Sequence, residues 1–226
     1  MFSVAIDGAA LPFSVAVADG GVIREQVFQN SDELAERVVS LVDSFDWSKV
    51  SRLIIGVGPG SFTGLRAARA FALGVVAAAT GGGVQLFGAC SHLARAMAVK
   101  DGLLAEDELL VIDSAGREGF FVSCYRFVGG GEEWRRVVIL RPPEIVSVEK
   151  IASLSFSKVV LAGDLKLASG GGSAGWLDEY RHLLIGSDGL LSPAAGILRV
   201  AEFQPEFLGS GEINYLRSVS ARPRSK

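Results

Sequence analysis

The stretch that most constrains this chain is IIGVGPGSFTGLRAARAFALGVVAAA, residues Ile54–Ala79. Its uncharged, β-branched opening is the pattern of a strand buried on both faces. Gly58-Pro59-Gly60 stops that strand, and Ser61 or Thr63 stands where a helix N-cap belongs. Phe62 to Ala79 then runs without proline or acidic residue and predicts a helix. A buried strand feeding a helix through a tight turn belongs to a sheet covered by helices.

The turn admits two readings. In one, Gly58, Gly60 and Gly64 allow close backbone approach, Ser61 and Thr63 offer hydroxyls, and the helix-start amides with Arg66 and Arg69 receive an anion. Neither standard nucleotide loop is matched, however: Leu65 stands where G-x-x-x-x-G-K-[ST] needs lysine, and Thr63 where G-x-G-x-x-G needs its third glycine. In the other reading the turn only caps and aims a helix. That helix is poor in side chains at Ala67, Ala68, Ala70, Ala72, Gly74 and Ala77–Ala79. Small residues let another helix approach closely at little entropic cost, so a docking surface is expected there.

Around this unit the pattern alternates. Phe2–Ile6, Phe13–Ala18 and Val22–Phe28 predict three strands of a meander, and Asn30–Phe45 a helix with Leu34, Val38, Leu41, Val42 and Phe45 on one face. Asn30 with Glu33 has capping-box spacing. A strand at Val84–Phe87 and a helix at Ser91–Val99, capped by Ser91, close the first half. Leu109–Asp113 then repeats the start, an apolar run ending in aspartate. Phe120–Phe127 and Arg135–Leu140 predict two strands around a GGGEE turn, and Pro142-Pro143 breaks the pattern. Val146–Leu154 is a short helix, Lys158–Ala162 a buried strand, Ala168–Gly175 a glycine-rich loop, and Pro193–Phe203 a helix with proline in its first turn. The order is βββαβαβα followed by a reduced βββαβα, with Asp7 and Asp113 in matching places. The expected division is residues 1–103 and 104–226.

Composition narrows the function classes. With 49% hydrophobic and 21% charged residues the chain folds. A net charge of −3 is unlike a free-standing nucleic-acid binder. The apolar run Phe71–Ala79 is too short to span a bilayer, the start lacks the basic opening of a signal peptide, and Cys90 and Cys124 form no disulfide framework, so a cytoplasmic location is expected. His92 and His182 have no metal-ligand spacing.

The core Gly58–Arg66, GPGSFTGLR, resembles the hallmark of the TsaB family, also called YeaZ. Elsewhere the chain departs from the family pattern. Gly8 follows Asp7 where threonine is usual, Asn30 precedes Ser31 where histidine is usual, and Ser114, Ala115, Arg117, Gly119 and Phe120 replace parts of Asp-Ala-Arg-x-Gly-Glu-Val-Tyr. Ile213 replaces the proline ahead of Tyr215, Leu216 and Arg217. The resemblance implies an α/β, actin/hexokinase-like fold of two RNase H-like halves with mixed sheets, the second reduced. It implies a non-catalytic scaffold subunit for forming N6-threonylcarbamoyladenosine at position 37 of tRNAs reading codons that begin with A. The partners it implies are a TsaD-type catalytic subunit and a TsaE-type ATPase, with ATP and metal on those subunits and no cofactor on this chain alone. When alone the chain is expected to form a homodimer through the same surface, and any tRNA contact is shared. The expected interface comprises Gly58, Pro59, Gly60, Ser61, Phe62, Thr63, Gly64, Leu65, Arg66, Arg69, Ala72, Val76, Leu34 and Val38, with Arg66 and Arg69 reaching a nucleotide at the junction.

Two other classes stand beside it. An independent ATPase or phosphotransferase of the same fold would use Asp7 and Asp113 for metal and phosphate, with Ala162-Gly163-Asp164 near the adenosine. Against this, no hydroxyl residue or lysine lies close after Asp7. A peptidase would need a pair such as Ser61 and His92, which the sequence neither supports nor requires.

Overall fold

The computed structural model describes residues 2–43, 49–79, 83–99, 101, 103, 106–128, 136–151, 153–154, 156–162 and 191–213. Phe45, the GGGEE turn, Gly163-Asp164, the loop 168–175, His182 and Tyr215–Arg217 lie outside the described residues.

Strands β1 (Phe2–Asp7), β2 (Phe13–Asp19) and β3 (Val22–Phe28) form the meander, joined by residues 8–12 and by the Gly20-Gly21 turn. Helix α1 (Leu34–Asp43) follows a short 3-10 turn, then come β4 (Val50–Gly56), α2 (Phe62–Ala78), β5 (Gln85–Ala89) and α3 (Ser91–Ala98). The Asn30 side-chain amide donates to the Glu33 carboxylate at 2.9 Å, and Glu33 N–H donates to the Asn30 carbonyl at 3.2 Å. The first sheet has the order β3-β2-β1-β4-β5, with β1, β4 and β5 parallel and β2 antiparallel to β1 and β3.

The second half begins again with β6 (Glu108–Ser114), β7 (Phe120–Val128), β8 (Arg136–Val146), the one-turn α4 (Val148–Ile151) and β9 (Lys158–Ala162). Its order, β8-β7-β6-β9, repeats the first four positions of the first sheet with the same directions. This is the duplicated RNase H-like arrangement of the actin/hexokinase class, with a reduced second copy. Strand β8 runs straight through Pro142-Pro143, which corrects the expected break. Between Val122 and Cys124 of β7 the partner advances from Glu144 to Arg141, so the prolines sit in a bulge of an edge strand. There their missing N–H groups leave no ladder bond unmade.

Period-two alternation then sorts side chains into three layers. Val4, Ile6, Leu53 and Ile55 point outward under α1 and α2, while Ala5 and Ile54 point inward. In the second sheet Leu110, Ile112 and Val122 face outward with Ile151, and Leu109, Val111, Tyr125 and Phe127 face inward. Each such fully buried aliphatic side chain contributes about 1.5–3 kcal/mol. Between the two inner faces lie α3, with every residue buried, and α5 (Pro193–Phe203). Helix α5 starts at the Ser192 cap with Pro193 in its first turn and packs on β1, β2 and β4, so this stretch returns to the first sheet. Beyond it, Gly209 and Gly88 exchange two backbone hydrogen bonds of 2.9 Å, strapping the chain along the β5 edge.

The crossing of α3 and α5 is as close as the backbone allows. A Cβ on Gly196 falls on the Ala94 carbonyl and 3.2 Å from Ala98 Cβ. Gly196→Ala is expected to push the helices apart and cost about 1–3 kcal/mol, read as a lower urea midpoint with an unchanged slope.

Candidate functional site

The glycine turn is built by its neighbours. Gly58 (φ 104°) lies in the positive-φ region and Gly60 (φ 149°) near its edge, and Ser61 N–H donates to the Ala9 carbonyl of the β1–β2 turn. A Cβ on Gly60 falls on that same carbonyl, and a Cβ on Gly8 falls 2.5 Å from Gly64 O. Gly8 is therefore the residue that lets β1 meet the first turn of α2. The Ser61 hydroxyl accepts from Gly64 N–H at 3.3 Å, so the capping reading of the turn holds.

The expected interface residues separate by face. Leu34, Val38 and Ala72 belong to the apolar core between α1, α2 and the first sheet, with Val38 and Ala72 at 0% exposure, and Leu65 is sealed at 1%. Gly58, Pro59 and Gly64 are buried too, and Val76 is half-buried against that core. None of the buried residues is available to a partner, which corrects their place in the expected surface: helical periodicity puts Leu34, Val38, Leu65 and Ala72 on the sheet-facing side, and Gly58 and Pro59 lie in the turn before α2. Arg69 is also redirected, its Nε donating to Gly211 O at 3.0 Å and holding the C-terminal strap against α2. Ser61, Phe62, Thr63 and Arg66 do reach the surface, the Arg66 guanidinium lying 5.0 Å over the Phe62 ring. Along the helix from them runs an uncharged exposed stripe: Ala70, Leu73, Gly74, Ala77 and Ala78. Leu73 and, on α1, Val39 are each 43% exposed, and a Cβ on Gly74 would meet nothing. Ala70 and Gly74 are legible in the sequence as small residues of α2, whereas Leu73 and Val39 were not among the expected contacts.

A second constellation lies where the central strands end. Alternation aims Asp7 and Asp113 inward, toward α3. Asp7, at 0% exposure, accepts from Ser91 Oγ at 2.9 Å and from Arg95 Nη2 at 3.4 Å. Ser91 Oγ in turn accepts from Gly58 N–H at 3.2 Å, and Ser91 N–H donates to Gly58 O at 2.9 Å. Ser91 is thus the first residue of α3 and not its cap, which is Cys90. Gly56 leaves the space for this pairing, since its Cβ would fall 2.6 Å from Ser91 Oγ and onto the Asp7 carboxylate. On the other side of α3, His92 Nδ1 pairs with Ser123 Oγ at 2.8 Å. His92 Nε2 and Arg95 Nε are buried without hydrogen-bond partners.

Burial dominates the electrostatics. It raises the Asp7 carboxyl above its ordinary value, against the opposing pull of Arg95 and Ser91. It pushes Asp113 up to about 7, with Arg95 opposing. Burial first and Arg95 second lower His92 to about 3, so it is neutral at pH 7. Ser61 caps α2 while His92 engages Ser123, so the two do not form a nucleophile–base pair. The cavity beside Asp7, lined by Gly8, Phe13, Gly64 and Ala68 among others, measures about 10 Å³, room for one water at most. Among the described residues no group of three or more His, Cys, Asp or Glu side chains is placed to hold a metal, and no helix is long and apolar enough to cross a membrane. Arg95, Ser123 and Gly56 were not singled out from sequence. The one signal for Arg95 was its i+4 spacing from Ser91 on a helix with no other charge.

No protein-family model matches this sequence, and no curated protein matches it. Among solved structures, YeaZ from Pseudomonas aeruginosa superposes with a TM-score of 0.70 over 95% of this chain and 99% of its own, at 20% identity. The chain has the YeaZ fold. An uncharacterised Pseudomonas aeruginosa protein described as similar to peptidase YeaZ superposes comparably, with a TM-score of 0.69 over 96% and 99%, at 20% identity.

Ser61→Ala is expected to cost about 1 kcal/mol through loss of the YeaZ-like turn's cap. Gly64→Ala is expected to cost more, because its Cβ falls on Gly8 O and 2.8 Å from Phe13 Cε1. Urea unfolding of the two variants gives the order.

Proposed function

We propose that this chain is a member of the TsaB (YeaZ) family and acts as a non-catalytic partner subunit in forming N6-threonylcarbamoyladenosine at position 37 of tRNA. It docks on a TsaD-type catalytic subunit through the outer face of α2, and a TsaE-type ATPase joins the assembly. ATP and metal reside on those partners, tRNA contact is shared, and the chain alone pairs with itself through the same face in the cytoplasm. The YeaZ fold and the GPGSFTGLR turn support the family. The observation that carries the role is the exposed stripe Ala70, Leu73, Gly74, Ala77 and Ala78 along α2, free of charge beyond Arg66. A helix face without charge or bulk suits close packing against another helix, and its apolar burial supplies the drive. The independent-phosphotransferase reading gains no support from Asp7, which is sealed and already paired.

Co-purification with a TsaD-type subunit and reconstitution of the modified nucleoside test the role. Leu73→Arg and Gly74→Arg are expected to weaken partner binding at least about 100-fold, roughly the loss of one central contact plus a buried charge, while the thermal midpoint stays near wild type. Ala72→Arg is expected to unfold the chain instead. Full-affinity binding by both surface variants would remove α2 from the interface.

A further inference from the structure

A cavity of about 170 Å³ lies at the opposite end of β1 from the Asp7 cluster. Its floor follows from the register of the first sheet. Ser3 pairs with Ala18 and with Arg52, and Ala18 pairs with Ile23, so one row crosses β3, β2, β1 and β4. Leu198 and Glu202, four residues apart on α5, cover this row from the inner side. The remaining wall is the β2–β3 turn, Gly20 and Gly21, both at positive φ (56° and 92°) and both exposed. The turn brings no side chain to that wall, so the cavity opens to solvent there.

We propose that this cavity binds a small aliphatic α-amino acid, with its carboxylate on Arg52, its ammonium on Glu202 and its side chain against Ala18, Ile23 and Leu198. Two opposite charges that line one cavity without meeting carry the proposal. Arg52 is half-buried, and its Nε donates to Ser3 Oγ at 3.0 Å, which holds the guanidinium in place. Among the described residues its Nη groups have no hydrogen-bond or ion-pair partner. That end of the guanidinium is the fork that grips a carboxylate with two parallel bonds. Glu202 has no ion pair among the described residues either. It stands in the last turn of α5, where the helix dipole disfavours a carboxylate and favours a cation beside it. An ammonium held there answers both.

The pair of charges sets the ligand class. A plain anion would meet Arg52 but be repelled by Glu202, and a plain amine would meet the reverse, so a molecule bearing both charges is selected. Ala18, Ile23 and Leu198 offer only carbon to the rest of it. An apolar cavity of about 150 Å³ holds benzene, so this one, at about 170 Å³, takes roughly six to eight non-hydrogen atoms, the size of valine.

NMR titration of the labelled full chain with L-valine tests the site. Saturable shifts of the Gly20, Gly21 and Ile23 amides and the Leu198 methyls are expected, with a Kd of about 1 mM or tighter. 3-Methylbutanoate lacks the amine and 2-methylpropylamine lacks the carboxylate. Each is expected to bind about 10-fold more weakly or worse, having lost one charge-assisted hydrogen bond. Glu202→Gln is expected to lose the same factor for valine but not for 3-methylbutanoate, with the thermal midpoint unchanged. Arg52→Lys is expected to weaken valine about 10-fold although the charge is kept, because the fork is gone. If Arg52→Lys does not fold, Glu202→Gln, altered on an exposed side chain, decides. Absence of saturable shifts at about 20 mM valine, some twenty times the expected Kd, overturns the proposal, as do shifts confined to other residues. Equal binding of valine and 3-methylbutanoate, or tighter binding of inorganic phosphate, makes this a simple anion site and overturns it too. The isolated chain is used throughout, so the result stands or falls apart from the TsaD partnership.

Discussion

A carboxylate with no water around it must be matched by donors or stay protonated, and Asp7 sets that condition at the centre of this molecule. Its donors come from α3, so β1 and α3 have to meet at one register. Ser91 gives one proton to Asp7 and accepts another from Gly58, which fixes the glycine turn to the same point. The turn cannot move without leaving a buried oxygen unpaired, a cost of about 1–3 kcal/mol. Bareness makes the meeting possible: Gly56 clears the Asp7–Ser91 contact, and Gly8 and Gly64 let the β1–β2 turn lie on α2. The motif that looked like an anion cradle is thus a joint whose anion is the protein's own side chain.

From that joint the layers follow. Helix α3 has all eight residues buried, which an exposed-face helix never shows, because it has the second sheet on one side and α5 on the other. Only small residues on α3 and α5 leave room for two helices between two sheets, and Ala94, Ala98 and Gly196 are the positions that do it. Polar residues in this layer are tolerated as pairs: Ser91 with Asp7, His92 with Ser123, Arg95 with Asp7.

Strand positions, the meander and the repeat were legible because alternation and aspartate-ended apolar runs are local signals. The direction of α2 was not. Its sheet-facing side contains Ala68 and Ala72 and its outward side Ala70, Gly74 and Ala77, so small residues lie all round and periodicity cannot tell core from surface. Leu34, Val38 and Leu65 carry more signal, and it points to the core where they lie. Pro142-Pro143 read as a stop because the sequence does not say that its strand is an edge. The cluster was half legible: two matching aspartates were visible, but the cation that meets Asp7 arrives from a helix whose place depends on the whole fold.

The same geometry explains how one helix can be firm and available at once. One face of α2 is fixed by Leu65, Ala68 and Ala72 in the core, its start by Ser61, and its flank by Arg69 holding Gly211 of the strap along β5. Every polar tie lies at the first two turns or on the buried side. The outward stripe is left with no bond to break and little side-chain entropy to lose on contact. A partner meeting this face would bury apolar surface against an already ordered backbone, and preorganisation of that kind raises affinity without added contacts. What the buried carboxylate secures at the centre is therefore expressed at the surface as a rigid, unadorned rod.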